Sequence, residues 1–532
     1  MSRKRKNKRI KKQHVRRTTA ERQSAIKSSV GRVIVIVLLL IIQITFFLYV
    51  LMGLYSRYPT ILIASHFLSI AVVLAINAHD KVSEMKLAWV IVILAIPLAG
   101  VLFYLFFQLS SLNKVYSRSL IRTNSKIFST VKQNPAVFDK IKLQDTWVSS
   151  QFKYLNDYAG YPVYSGTKVK YFSKAENGIR SQIEDFKKAQ RFIFMEYHAI
   201  ENKESFDPIL DVLIEKAQSG VDVRILYDDI GSFVFVNRDF RKMLRSYGIK
   251  CRVFNPLVPI LQIFMNHRDH RKITVIDNMV GYTGGYNIAN EYFNITHPYG
   301  YWKDTGLRLE GPAVINLTAM FLEMWEFSDI KQEPEDPGVF LDPRPKPLDV
   351  TGYICPFADS PIDEETVGEN VYINVLNNSV KYCYFSTPYL VISDELKGAL
   401  TLAAKRGVDV RIITPGIPDK RTVYSVTRSY YYQLIAGGVR IYEYTPGFNH
   451  AKMCISDTKM AVVGTINLDF RSLYHHFENA CLMFNEECIK DIKSDFDSML
   501  AECCEVTEKY RKQPNVILRT GKSILRLIAP ML

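Results

Sequence analysis

The stretch HRKITVID at residues 270–277 returns in altered form as HAKMCISD at 450–457. Each copy carries a His, a Lys two residues on and an Asp seven residues on: His270, Lys272, Asp277 and His450, Lys452, Asp457. An Asn follows each His at the same offset, Asn287 in the first copy and Asn467 in the second. A lone His-x-Lys is common on surface strands, but two full copies with matching downstream amides point to one phosphate site built from two related halves. In an extended strand, side chains at i and i+2 share a face, so His and Lys project together while Ile273, Val275, Met453 and Ile455 anchor the strands below.

The flanking sequence repeats as well. GVDVRI occurs identically at 220–225 and 407–412, and GIKCRVFNP (248–256) faces GVRIYEYTP (438–446). Strand-like Phe192–Tyr197, helical Asp207–Gln218 and strand-like Val221–Tyr227 recur as Tyr382–Thr387, Glu395–Lys405 and Val408–Thr414. This alternation predicts an α/β fold with largely parallel sheets, in two similar domains at 151–330 and 350–510. A Pro- and Asp-rich linker at 331–349 joins them, and an amphipathic segment occupies 511–532.

The N-terminal part is of another kind. Residues 1–32 carry 13 Lys or Arg against the single acid Glu21, which is +12 of the chain's net +15 and leaves only +3 for the other 500 residues. Next to a membrane segment such a tail reads as disordered and attracted to anionic headgroups. Little of the basic excess is left for the two His motifs, so no nucleic-acid partner is expected. Three apolar runs follow, at 33–55, at 61–78 (interrupted by Ser65, His66 and Ser69) and at 87–109, where Pro97 is expected to kink the helix. A bilayer needs roughly 20 apolar residues per helix, so residues 33–110 read as a membrane anchor of two to three transmembrane helices, multi-pass in the cell membrane. With the tail inside and three crossings the catalytic body lies outside; with one run interfacial it lies inside. The eight cysteines show no CxxC pair or zinc-like spacing and read as small core residues.

The chemistry that suits two His, two Lys and two Asn is phosphoryl transfer on a diester. Ammonium and amide groups hold the non-bridging oxygens and stabilise charge developing there. One neutral imidazole attacks phosphorus while the other, protonated, serves the leaving alkoxide. No cofactor or metal is expected, because the spacing supplies cations rather than further ligands.

At this point the chain resembles the phospholipase D superfamily, whose signature is the duplicated HxKxxxxD motif, and within it the bacterial cardiolipin synthases. The resemblance extends over nearly everything after residue 80, including TGGYNIANEY (283–292), YWKDTGLRLEGPAV (301–314), STPYL (386–390) and GTINLDFRS (464–472). It implies two phospholipase D-like domains about a pseudo-twofold axis, with both His motifs in one cleft. It also implies catalytic roles for His270, Lys272, Asp277, His450, Lys452 and Asp457, with His270 as nucleophile and His450 as general acid/base. Phosphate binding falls to Lys272, Asn287, Lys452 and Asn467, and orientation of the imidazoles to Asp304 and Glu478. Asp277 and Asp457 are expected to hold the motif turns rather than move protons. The implied activity is a membrane-bound phosphatidyl transfer between two phosphatidylglycerol molecules, giving cardiolipin and glycerol through a phosphatidyl-histidine. The alternatives are a hydrolase or transphosphatidylase using another acceptor, and a non-catalytic membrane scaffold that binds anionic lipid or nucleic acid. The expected partners are phosphatidylglycerol, cardiolipin and other membrane lipids; no oligomeric state follows from the sequence.

Overall fold

The computed structural model describes residues 58–78, 83–108, 111–236, 238–256, 267–329, 335–363 and 365–512, with isolated positions at 34–57 and Arg526. The basic tail, most of the first apolar run and nearly all of 511–532 lie outside the described residues.

Two sheets repeat one strand order. The first runs Lys168–Phe172, Gly306–Glu310, Val280–Gly284, Lys272–Ile276, Phe192–Tyr197, Asp222–Asp228 and Lys250–Phe254. In the second, the corresponding strands are Tyr353–Asp359, His476–Phe484, Met460–Gly464, Met453–Ser456, Tyr382–Ser386, Asp409–Pro415 and Arg440–Tyr444. Only the last three strands of each series are mutually parallel; the motif strands join them antiparallel, so the sheets are mixed rather than largely parallel. The reason is local. Short turns at Asp277–Asn278 and Asp457–Thr458, all at positive φ, reverse the chain directly after each motif strand.

Alternation along Phe192–Tyr197 divides the first sheet's faces. Phe192 and Phe194 enter the large core shared with the second half, whereas Ile193, Met195 and Tyr197 enter a separate core on the other side. Helix Val314–Phe327, buried along its whole length, packs against strands of both sheets and fuses the halves. Tyr164–Ser165, inside the first proposed domain, pairs with Tyr353–Ile354 and so belongs to the second sheet. Three helices at Ser111–Phe128, Pro135–Gln144 and Thr146–Asp157 fill a stretch to which the sequence reading assigned no element.

The membrane region departs most from expectation. Among the described residues one helix, Pro59–Asn77, is long and apolar enough to span a bilayer. The polar residues within it are satisfied internally: Ser65 Oγ donates to the Leu62 carbonyl and Ser69 Oγ to the Ser65 carbonyl, each at 2.8 Å. The third run does not cross as a straight helix. It divides into Ser83–Ala95 and Pro97–Gln108, and the Trp89 and Tyr104 rings meet at 5.5 Å. In one continuous helix they would stand about 22 Å apart. Pro97 breaks the backbone ladder, and Gly100 lets the returning arm approach, since a Cβ there would lie 2.5 Å from Ile93 Cα. The run is therefore a helical hairpin, and the expected three spans, with the multi-pass topology built on them, are not found among the described residues.

The motif aspartates each bind a run of three backbone N–H groups. Asp277 accepts from the backbone N–H groups of Gln190, Arg191 and Phe192 at 2.7–2.8 Å. Asp457 does the same for Val380, Lys381 and Tyr382 at 2.8–2.9 Å. Replacing either by Ala removes three charge-assisted hydrogen bonds and is expected to cost about 1–3 kcal/mol. A thermal melt in detergent should show the loss, with turnover per folded molecule retained. Lost turnover at unchanged melting temperature would instead place these carboxylates in the reaction.

Candidate active site

Each His is held by the opposite half of the molecule. Arg268–Asp269, just before the first motif, pairs in parallel with His476–Phe477 of the second half. Gly447–Asn449, just before the second motif, pairs in parallel with Tyr301–Lys303 of the first. The His270 N–H then donates to the Phe477 carbonyl at 2.9 Å, and the His450 N–H to the Lys303 carbonyl at 2.8 Å. The next residue along each supporting strand is a carboxylate. Glu478 lies 2.9 Å from His270 Nδ1, and Asp304 lies 2.6 Å from His450 Nδ1. The two candidate orienting carboxylates are thus exchanged between the halves.

The carboxylates are themselves fixed. Glu478 accepts from the hydroxyls of Thr465 and Ser472, and Asp304 from the Thr305 N–H at 2.9 Å. Where the second half has Thr465, the first half has Gly285, and a Cβ on Gly285 would fall 2.1 Å from Asp304 Oδ1. With Nδ1–H given to a carboxylate, each imidazole keeps Nε2 for the cleft.

The site is buried and rich in cations. Burial pushes the Lys272 ammonium down to about 7, with Glu478 opposing and Lys452 reinforcing the shift. Burial likewise takes Lys452 down to about 8. Burial, then Lys452, lowers His450 to about 3, and Lys272 adds to the effect. His270 falls well below its ordinary value by burial, with Glu478 opposing. Burial would raise Glu478, but His270 and the hydrogen bonds hold it below the usual carboxylate range. The charge of Lys272 acts on His450 and that of Lys452 on Lys272, so both motifs share one site. Such a site favours an anion, which restores the protons that burial removes.

The amides are less alike than their spacing suggests. Asn287 accepts from the Ala199 N–H and donates to Tyr292 Oη at 2.8 Å, leaving one N–H for a ligand. The Asn467 backbone N–H donates to Ser472 Oγ, and its buried side-chain Oδ1 has no partner among the described residues. Lys272 Nζ donates to the His270 carbonyl at 2.5 Å, whereas Lys452 Nζ lies against its own motif's imidazole, 3.0 Å from His450 Nε2.

Several neighbours escaped the sequence reading. His198 and His476 flank His270, with ring centroids 5.0 and 5.6 Å away. His450 instead faces aromatic rings: Tyr292 and Trp302, each at 5.2 Å, and Phe448 at 5.7 Å. The doublet His475–His476 and the motif-adjacent Phe448 were visible as residues, but only the exchanged strands bring them to the imidazoles. His267, beside the first motif, bonds to the His475 carbonyl through Nδ1 at 3.2 Å. Among the described residues, His270, His476 and Glu478 form one group with ligand atoms close enough to hold a metal ion. Lys272 beside them, and the engagement of Glu478 by three donors, make it a poor cation site.

A family model described as cardiolipin synthase, PLD-like domain, matches residues 182–325 and 372–500. The chain belongs to the cardiolipin synthases of the phospholipase D superfamily. It is an enzyme of that superfamily, with a phospholipase D-nuclease N-terminal match at 67–108. An uncharacterized protein of Streptococcus mutans is 40% identical over 447 residues, which is 84% of this chain and 96% of that protein. Cardiolipin synthase 2 of Bacillus cereus is 31% identical over 471 residues, 88% of this chain and 90% of that protein. In fold, the crystal structure of a Haemophilus influenzae phosphatidylserine synthase covers 72% of this chain and 99% of its own, at a TM-score of 0.55 and 13% identity.

Two measurements probe the geometry. Glu478→Gln and Asp304→Asn should each reduce kcat by about 10²–10⁴-fold with little change in KM, as expected when an imidazole loses its orienting carboxylate. Dimethyl phosphate, a fixed monoanion, should take up protons on binding at pH 7.5, because burial holds Lys272 down to about 7 and its pKa rises beside an anion. Calorimetry in buffers of different ionisation enthalpy reads the uptake directly. Binding without proton exchange would mean that the lysines are already fully charged.

Proposed function

We propose that the enzyme transfers a phosphatidyl group from one phosphatidylglycerol to another, forming cardiolipin and releasing glycerol. The observation that carries this reading is the pair of exchanged His–carboxylate contacts beside Lys272 and Lys452. Two imidazoles, each with Nδ1 turned to a carboxylate, and two ammonium groups match a phosphodiester that exchanges one alcohol for another.

The steps balance without a cofactor. His270 Nε2 forms a bond to phosphorus, and the bond from phosphorus to the glycerol oxygen breaks. The departing oxygen takes the proton from His450 Nε2, leaving a phosphatidyl-histidine. A hydroxyl of the second phosphatidylglycerol then gives its proton to His450 and attacks phosphorus, and the P–N bond breaks. The negative phosphodiester raises the His450 pKa in the complex, which gives the acid its proton despite a free-site value near 3. Lys272, Lys452 and the free Asn287 N–H bind the non-bridging oxygens. The chain is held at the membrane through Pro59–Asn77.

Purified protein incubated with phosphatidylglycerol alone should yield cardiolipin and glycerol in equal amounts by mass spectrometry, and EDTA should leave the rate unchanged. Phosphatidic acid as the main product would favour the hydrolase reading. Loss of activity in EDTA, restored by one metal, would overturn the metal-free steps. In His450→Ala protein the adduct should map to His270; an adduct found only at residue 450 of His270→Ala protein would reverse the two roles.

A further inference from the structure

We propose that Ile230, Val234, Ile295 and Ile417 form an aliphatic rim that seats the cleft in the lipid interface of the membrane holding the anchor. The inference rests on the lipid-substrate reading and adds which surface of the body meets the bilayer.

Isolated exposed aliphatic residues are ordinary on soluble surfaces, so exposure alone carries nothing. Position does. The sheets have two ends. At one, Tyr197 pairs with both Tyr227 and Lys272, and Ser386 with both Ile413 and Met453, so the C-terminal ends of the parallel strands open where the His motifs begin. At the other lie the Asp277 and Asp457 turns.

All four rim residues sit at the His end, Ile230 on the short helix Asp229–Ser232 and the other three on loops. Ile230 and Val234 follow strand Asp222–Asp228, and Gly231 between them abuts the His198 ring, where a Cβ would approach to 2.7 Å. Ile417 follows strand Asp409–Pro415, and its Cδ1 comes within 3.3 Å of a Cβ position on Gly300. Ile295 opens an exposed run, 295–298, between Tyr292 and Trp302, the two rings against His450. The four are 40%, 56%, 47% and 41% exposed, whereas the rings beside His450, Tyr292, Trp302 and Phe448, are buried. Lys420 and Arg421, exposed three and four residues after Ile417, place cations where anionic headgroups would lie.

The anchor reaches the same end. The Glu84 carboxylate, at the start of the helical hairpin 83–108, accepts from the Asp394 N–H at 2.9 Å. Asp394 begins a helix a few residues after strand Tyr382–Ser386, close to Leu390–Val391, which pairs with Leu468–Asp469 beside Asn467. The helix that follows the hairpin, Ser111–Phe128, packs on Val314–Phe327 and ties the chain after the second arm to the body. An anchor attached at the cleft end brings that end to the bilayer. Short aliphatic loops flanked by cations are what a lipid interface accepts.

The test uses the full chain in proteoliposomes of phosphatidylglycerol and brominated phosphatidylcholine. Ile417→Trp and Ile295→Trp variants should show bromine quenching above the parent's intrinsic fluorescence. Val380→Trp, an exposed site at the turn end, should show none. Equal quenching at all three positions, or none at 295 and 417, overturns the rim. A combined Ile230→Ser, Val234→Ser, Ile295→Ser, Ile417→Ser variant should lose activity severalfold on vesicles yet match the parent on monomeric short-chain phosphatidylglycerol. Equal loss on both substrates would place these side chains inside the cleft's chemistry and also overturn the proposal. If the parent makes no cardiolipin at all, the proposed reaction fails, while the quenching result still decides the rim.

Discussion

Each catalytic-motif imidazole depends on a strand it does not belong to. A backbone hydrogen bond from His270 to Phe477, and from His450 to Lys303, sets the ring's height against the opposite half. The adjoining residues, Glu478 and Asp304, then set its tautomer. Neither half can complete its own site, because the carboxylate needed by each His sits in the other. The helix Val314–Phe327 and the shared core maintain this exchange, since relative movement of the sheets would break both contacts together. Inside that joint, Arg271 forms a buried ion pair with Glu323 on the same helix at 2.9 Å. The pair's worth is registry more than stability, since burying two charges offsets much of their attraction.

The duplication is faithful in the backbone and unfaithful in the side chains. Gly220 and Gly407 share φ near +95°, and both motif turns use left-handed residues at the same places. The surroundings of the two imidazoles nevertheless differ. His270 stands among His198, His476 and the Arg268–Asp228 ion pair, whereas His450 stands among Tyr292, Trp302 and Phe448. A polar wall and an aromatic wall on one phosphate site suit two substrates that present different groups to the two histidines. Orientation of a lipid in the cleft can therefore be selective although the reacting groups are nearly symmetric.

Much of this was legible in the sequence because it is periodic. Helix Asp207–Gln218 lies where its apolar spacing placed it, and the strands at 192–197 and 382–386 follow their β-branched and aromatic runs. The His, Lys and Asn sets stood out because polar residues recur at fixed offsets in a duplicated strand. Strand direction was less legible, since a buried motif strand has the same composition whether it runs parallel or antiparallel; the turn residues Asp277 and Asp457 held the better clue. The exchange of Glu478 and Asp304 could not be read, because offsets along the chain say nothing of how two halves meet. Nor could the hairpin at Pro97: an apolar run has the same composition straight or folded, and contacts such as Trp89–Tyr104 separate the two.

The burial of the site explains its electrostatics. Four basic side chains in a cleft closed by two sheets would be unfavourable if all were charged, and burial moves each toward neutrality. Glu478 and Asp304 offset part of that excess, and each is committed to an imidazole. With both lysines and one imidazole protonated, the state the reaction needs, three positive charges face these two carboxylates and the site is short of one negative charge. A phosphodiester carries one negative charge on two non-bridging oxygens, so its entry both satisfies the donors and recharges them. The same burial that makes these groups reluctant to hold protons thus links proton uptake to the arrival of the anion that needs them.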